Sequence, residues 1–277
     1  MGPAPVMAIQ LGQIADRLIA AQDGATTLAP FTHEQPELGV GDAYAVMADI
    51  EARRRQQGWR SVGRKIGFTN TTIWSRYGVW QPNWAHVWAE TVEHTRDGRA
   101  TLSLQRFVQP RIEPEVVFGL SAPVPPSDDP LAVLKSVAWI APGFEIVQSH
   151  FPDWKFKVFD CTANCALHGA LVVGAQVPVT AASRAKLAET LPTFTLTLSR
   201  GDTVIDRGVG ANVLKSPALA LAHLARVLAD LPQFPPLAAG ELVTTGTITD
   251  AWPVVPGETW SSDYGALGLA GMTLTFT

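Results

Sequence analysis

The chain has 277 residues, 47% of them hydrophobic, with a formal net charge of −4 and a pI near 5.9. That is enough apolar material for a real core, and mild acidity without a basic block speaks against a nucleic-acid partner. No stretch approaches the roughly 18 apolar residues of a membrane span, and "MGPAPVMAIQ" lacks the basic start and long apolar run of a signal peptide. The expectation is a soluble, cytoplasmic protein with no membrane association.

In chain order, residues 8–22 carry apolar side chains at Ile9, Leu11, Ile14, Leu18 and Ile19, a period that predicts an amphipathic helix. A second helix is predicted over 41–58, with Asp42 as N-cap, Gly58 as its stop and Arg53 to Arg55 as a solvated last turn that complements the helix dipole. After Gly58 the texture changes to short β-like runs punctuated by Pro and Gly: "EVVFGL", "FEIVQ", "GALVVG", "TFTLTLS", "ELVTTG" and "MTLTFT". Two helices interrupt them, "SDDPLAVLKSVAWIA" with cap candidates Ser127 to Asp129 before Pro130, and "KSPALALAHLARVLADL" with Ser216 and Pro217. The predicted class is α+β. A small helical N-terminal part, residues 1–60, precedes a mainly β body, residues 61–277. Cys161 and Cys165 have no second pair and read as buried free thiols.

The chemistry concentrates in "PRIEPEVVFGL". Residues i and i+2 of a strand share a face, so Glu113 and Glu115 project together, while Pro114 favours a strand start or edge. Solvated edge glutamates would explain the pair taken alone. Glu145 adds to it, lying in a β-like run between Phe144, Ile146 and Val147, where a carboxylate needs a partner. Three converging carboxylates repel, and a hard divalent cation such as Mg²⁺ or Mn²⁺ resolves that, since it prefers oxygen ligands. Lys65 sits in "VGRKIGFTN" between Gly63 and Gly67, which suggests a backbone that a ligand can approach closely. Beside a metal it could bind a substrate carboxylate or move a proton. Lys157 and Asp160, three apart in an aromatic setting, read either as an ion pair or as part of the site.

These motifs in order, with "YGVWQPNW", "PGFEIVQSHFPDW", "KVFD", "TTGTITDAWPVVPGE" and "YGALGL", resemble the fumarylacetoacetate hydrolase superfamily, and within it the 2-keto-4-pentenoate hydratase and 4-oxalocrotonate decarboxylase branch. The resemblance implies a β-roll body and a Mg²⁺ or Mn²⁺ ion held by Glu113, Glu115 and Glu145. It implies an active-site role for Lys65, with Lys157 and Asp160 near the substrate. It also implies a small-molecule 2-keto acid or its enol as substrate, in aromatic catabolism, and a homo-oligomer. The expected activity is that of a metal-dependent lyase, a hydratase or a decarboxylase.

Two alternatives stand beside it. An acylpyruvate-type hydrolase of the same superfamily would place a histidine about where this chain reads "GFTNTTI", and His33 and Glu34 lie far upstream. A non-catalytic scaffold or binding relative is suggested by departures from the branch: Trp80 and Asn83 where hydratases carry acidic residues, and Asn164 to Leu167 where they read Asp-Asn-Ala-Ser. Trp74, Trp80, Trp84 and Trp88 suggest either an aromatic pocket or core packing.

Overall fold

The structure is a computed structural model and describes residues 10–71, 74–77 and 79–277. Ile9 of the predicted first helix lies outside these. The helices are α1 (Leu11–Gly24), α2 (Phe31–Glu34), α3 (Val40–Gln56), α4 (Trp74–Tyr77), α5 (Pro130–Leu134), α6 (Val158–Ala163), α7 (Arg184–Thr190) and α8 (Pro217–Ala229). The strands are β1 (Ser61–Gly67), β2 (Asn83–Trp88), β3 (Val92–His94), β4 (Arg99–Leu102), β5 (Arg111–Leu120), β6 (Val137–Val147), β7 (His168–Val173), β8 (Val177–Pro178), β9 (Thr195–Arg200), β10 (Thr203–Val209), β11 (Leu242–Thr244), β12 (Trp252–Pro253), β13 (Thr259–Asp263) and β14 (Met272–Phe276). A nine-stranded sheet runs β2-β1-β11-β5-β6-β7-β3, with β12 also paired to β5 and β8 to β6; a five-stranded sheet runs β10-β9-β13-β14-β4. The fold is the expected α+β one, with helices α1 to α3 ahead of the first strand. Among the described residues no helix is long and apolar enough to cross a membrane.

Register explains how the large sheet holds a site. Glu113 pairs with Glu145, Glu115 with Gly143 and Val117 with Ala141 across β5 and β6. On the other side Val117 pairs with Thr244, and Thr244 with Lys65. Because side chains alternate along each strand, Lys65, Thr244, Glu113, Glu115 and Glu145 share one face. On that face Val87, Val117, Ala141, Leu171, Val173 and Leu242 form an apolar cluster. The opposite face of β5, with Ile112, Val116 and Phe118, enters the main core with α8. Flat, the three strand spacings from β1 to β6 would separate their backbones by roughly 14 Å. The Lys65 ammonium nevertheless reaches Glu145 Oε1 at 3.4 Å, so the sheet curls into a roll around its apolar cluster.

The helical part is not an independent layer. Ile14, Leu18, Phe31, Val46 and Ile50 pack against Phe151, Phe159 and Ala163 of the body, while Tyr44 and Met47 enter the main core. Local detail differs from the sequence reading in four places. Asp42 is the third residue of α3 rather than its cap, and accepts from the Gly39 N–H at 3.0 Å. Of the three arginines, Arg54 is buried: it pairs with Asp23 at 2.7 Å and lies over the Trp59 ring. The helix expected over 127–141 stops at Leu134, and "VAWIA" is strand β6, held by pairing to β5 and β8. Asp129 does cap that short helix through the Leu131 N–H, at 2.9 Å. Finally, Cys161 is buried as expected but Cys165 only partly so; both are free thiols.

Candidate metal site

The curled face ends in a cleft. Lys65 and Glu113 line its floor; Phe68, Trp154 and Phe156 give it aromatic walls; Thr69, Asn70, Thr247 and Asp250 give it polar ones. Ligand oxygens of Glu113, Glu115 and Glu145 lie within 4.8 Å of one another. Glu115 and Glu145 are fully buried, and Glu113 keeps some surface toward the cleft.

Each buried glutamate has one oxygen tethered and one free. Glu115 Oε2 accepts from the Gly246 N–H at 2.7 Å, and its Oε1 has no hydrogen-bond partner. Glu145 Oε1 is bound by His168 Nδ1 at 2.8 Å and faces Lys65, and its Oε2 is likewise unpartnered. Gly246 is required for the first tether: its φ is +99°, and a Cβ there would lie 1.8 Å from Thr69 Oγ1. A buried polar atom without a partner is costly, and two carboxylate oxygens with no fixed donor between them call for either a shared proton or a hard cation. Oxygen-only donors suit Mg²⁺ or Mn²⁺ better than zinc.

The electrostatics agree. Burial pushes Glu113 up to about 7, opposed by Lys65 and reinforced by Glu145. Burial, with the charges of Glu145 and Glu113, holds Glu115 well above the ordinary carboxylate range. Burial would also raise Glu145, but Lys65 and the His168 hydrogen bond bring it below that range. Burial works against the Lys65 ammonium, yet the three glutamates outweigh it and raise its pKa. Without a cation the cluster therefore keeps its buried negative charge down by retaining protons. Lys65 is fixed by donating to the Ala166 carbonyl at 2.9 Å. That carbonyl sits in a run of left-handed, non-glycine residues, Cys165, Ala166 and Leu167, with φ of 52°, 47° and 64°. Backbone strain of this kind persists where surrounding structure enforces it, often at functional sites.

The sequence-predicted residues divide. Lys65, Glu113, Glu115 and Glu145 come together. Lys157 and Asp160 are not brought into the cleft. Asp160 accepts from Thr32 Oγ1 at 2.6 Å, Thr32 N at 3.2 Å and the Lys157 N–H at 3.0 Å, so it caps α6 and ties α2 to the body. The Lys157 side chain is exposed. Gly63 serves close packing rather than ligand approach, since a Cβ there would lie 1.9 Å from the Leu242 carbonyl oxygen. Gly67 does line the cleft, and a Cβ there would lie 2.4 Å from Asn83 Oδ1. The tryptophan cluster does not form the pocket. Trp84 stacks on Tyr44 in the core, Trp88 is buried, Trp80 is 72% exposed, and Trp74 donates to the Phe68 carbonyl. Asn83, at a departure from the branch, donates to Thr162 Oγ1 at 3.0 Å. His168, Gly246 and the aromatic trio Phe68, Trp154 and Phe156 were not singled out from sequence. A lone histidine before an apolar strand carries no signal that would have found the first.

Comparison with known proteins agrees with this geometry. Residues 78–273 match the family model described as "Fumarylacetoacetate (FAA) hydrolase C-terminal". The chain is 30% identical over 263 residues to a 2-hydroxyhexa-2,4-dienoate hydratase of Comamonas testosteroni, covering 94% of this chain and 95% of that one. It is 28% identical to a 4-oxalocrotonate decarboxylase of Pseudomonas sp. (strain CF600), covering 93% and 94%. Among solved structures, 4-oxalocrotonate decarboxylase from Pseudomonas putida G7, complexed with magnesium and adipate, superposes with a TM-score of 0.86 at 26% identity, over 97% of both chains. Ordered motifs, curled sheet and carboxylate cluster thus converge, and the chain belongs to the fumarylacetoacetate hydrolase family.

Proposed function

We propose that the protein is a metal-dependent lyase acting on a 2-keto acid or its enol, of the 2-hydroxy-2,4-dienoate hydratase or 4-oxalocrotonate decarboxylase kind. The observation that carries this is the set of two buried, unpartnered carboxylate oxygens beside Glu113 and Lys65 at the floor of a cleft. Glu113, Glu115 and Glu145 would hold Mg²⁺ or Mn²⁺. When bound, the cation supplies Lewis acidity that favours the enolate form of a 2-oxo acid. Lys65 meets the substrate carboxylate and moves a proton, as a buried ammonium on the cleft floor can do. Phe68, Trp154 and Phe156 screen the reacting carbons from bulk water, and Thr69, Asn70 and Thr247 offer hydrogen bonds to an oxygenated substrate. Asp160 supports the site indirectly, by holding the helical part against it.

Lyase chemistry is favoured over acylpyruvate hydrolysis by the "GFTN" segment, where such hydrolases place their histidine. A hydrolase needs a base within reach of the attacking water. Among the described cleft residues there is no histidine: Thr69 and Asn70 stand in the "GFTN" segment, and the carboxylates are Glu113, assigned to the cation, and Asp250. Threonine and asparagine are not bases near neutral pH. Hydration is the first reading and decarboxylation the second, in line with the two kinds of relative. The family expectation of a cytoplasmic homo-oligomer goes with this reading, and sedimentation measures the assembly.

The test is a substrate panel with Mg²⁺: 2-hydroxypenta-2,4-dienoate, 4-oxalocrotonate, oxaloacetate and acetylpyruvate, each with product analysis. Turnover of the dienoate or 4-oxalocrotonate is expected. Acetate release from acetylpyruvate, with the other three untouched, would overturn the lyase assignment.

A further inference from the structure

We infer that His168 is a positioning residue for the metal site, clamping one oxygen of Glu145 so that the other is presented to the cation. The inference rests on the carboxylate cluster being that site. His168 is buried at its side chain, 3% exposed, and stands behind Glu145 rather than in the cleft. Its Nδ1 lies 2.8 Å from Glu145 Oε1, and its Nε2 lies 2.9 Å from Thr91 Oγ1. An ionised carboxylate only accepts, so Nδ1 carries the hydrogen that faces it. Ring orientation is therefore fixed at both nitrogens.

The backbone is shaped to put the ring there. Leu171 and Val173 place the odd-numbered residues of β7 on the inner face, so a regular strand would turn His168 outward. The β6–β7 register shifts between Ile146 and Val147, where Val147 pairs with His168 and Gly169 is skipped. A bulge re-aims the side chain beside it, and here it turns His168 onto the face that bears Glu145. Gly169 fits the shift, since a Cβ there would lie 2.6 Å from the Ile146 carbonyl oxygen. Glu115 repeats the arrangement with a backbone donor: Gly246 N–H holds Oε2, and Oε1 is free. Both buried ligands are thus held from behind, one by an amide and one by an imidazole. Partners of this kind typically change metal affinity by about 10–100-fold when removed.

Two isosteric variants separate positioning from bulk. The Asn amide nitrogen reaches where Nδ1 sits, whereas that of Gln reaches where Nε2 sits. Calorimetric titration of the metal-free protein with Mn²⁺ should therefore give His168→Gln about a 10–100-fold weaker affinity, with His168→Asn close to wild type. Thermal melts check that both remain folded. Equal affinities for His168→Gln and wild type, or equal losses in both variants, would overturn the role of His168. Failure of the wild-type protein to bind Mn²⁺ would instead overturn the carboxylate site on which it rests.

Discussion

Replacing Lys65 by Met tests the centre of the site, because it removes one charge while keeping the length of an apolar stem. The ammonium lies 3.4 Å from Glu145 Oε1 and donates to the Ala166 carbonyl. At that distance an effective dielectric constant near 20 gives a gross attraction of about 5 kcal/mol. Desolvation of both partners offsets much of that when the pair forms. Breaking a buried pair from one side leaves the other charge uncompensated, which typically costs about 3–5 kcal/mol. The metal-free Met variant should accordingly melt on the order of 10 °C lower than wild type, for a chain of this size. Cation binding should respond differently: an ammonium beside the ligands repels the ion, so Mn²⁺ affinity in Lys65→Met should match or exceed that of wild type. Turnover should fall at least about a hundredfold, the lower end of what a positioned proton-transfer group contributes. The assays are thermal melting without metal, calorimetric Mn²⁺ titration, and steady-state turnover at saturating Mn²⁺. Near-wild-type turnover in a folded, metal-loaded variant would return Lys65 to a purely structural role. So would a rate loss fully accounted for by lost metal.

Two further outcomes follow from the same geometry. Burial raises Glu113 to about 7 from an ordinary 4.5, so the metal-free folded state holds a proton that the unfolded chain releases between those values. Its contribution to stability therefore falls as pH rises through that window. Melting at pH 5.5 and 7.5 should show Glu113→Gln gaining on wild type with pH, and wild-type Mn²⁺ affinity should tighten as pH rises through that window; the opposite trends would contradict the burial argument. Asp160→Ala should lower stability by about 1–3 kcal/mol, the cost of stranding buried hydrogen-bond partners, while folded Asp160→Ala and Lys157→Ala keep near-wild-type kcat. A large kcat loss in Lys157→Ala would place that lysine at the reaction after all.

The fold was legible wherever a local pattern survived into tertiary structure. Helix α8 follows its Ser-Pro start and apolar period, and β5, β7 and β14 follow their β-branched runs. It was not legible where partners decide. "VAWIA" continues a helical period beyond Leu134, but two neighbouring strands offer it a ladder, and pairing prevails over propensity. The short helices α6 and α7 give too few turns for a period to be read.

The site shows the same division more sharply. Glu113 and Glu115 were readable because a period of two fixes their common face, and Glu145 because a carboxylate in an apolar strand demands a partner. The Lys157–Asp160 spacing carries two meanings at once. Residues three apart can share a pocket edge, but a carboxylate three residues after a helix N-cap also turns back to the cap's N–H. The structure realises the second: Asp160 Oδ2 takes the Lys157 N–H, and Thr32 uses the remaining acceptor capacity. Only the arrival of α2, far away in sequence, separates the two readings. His168 is further still from local legibility. Its orientation depends on one skipped residue in the β6–β7 ladder, and a register shift belongs to two strands together. What local spacing conveys is therefore which side chains can act in concert along one strand; what holds them from behind is written in the pairing of strands.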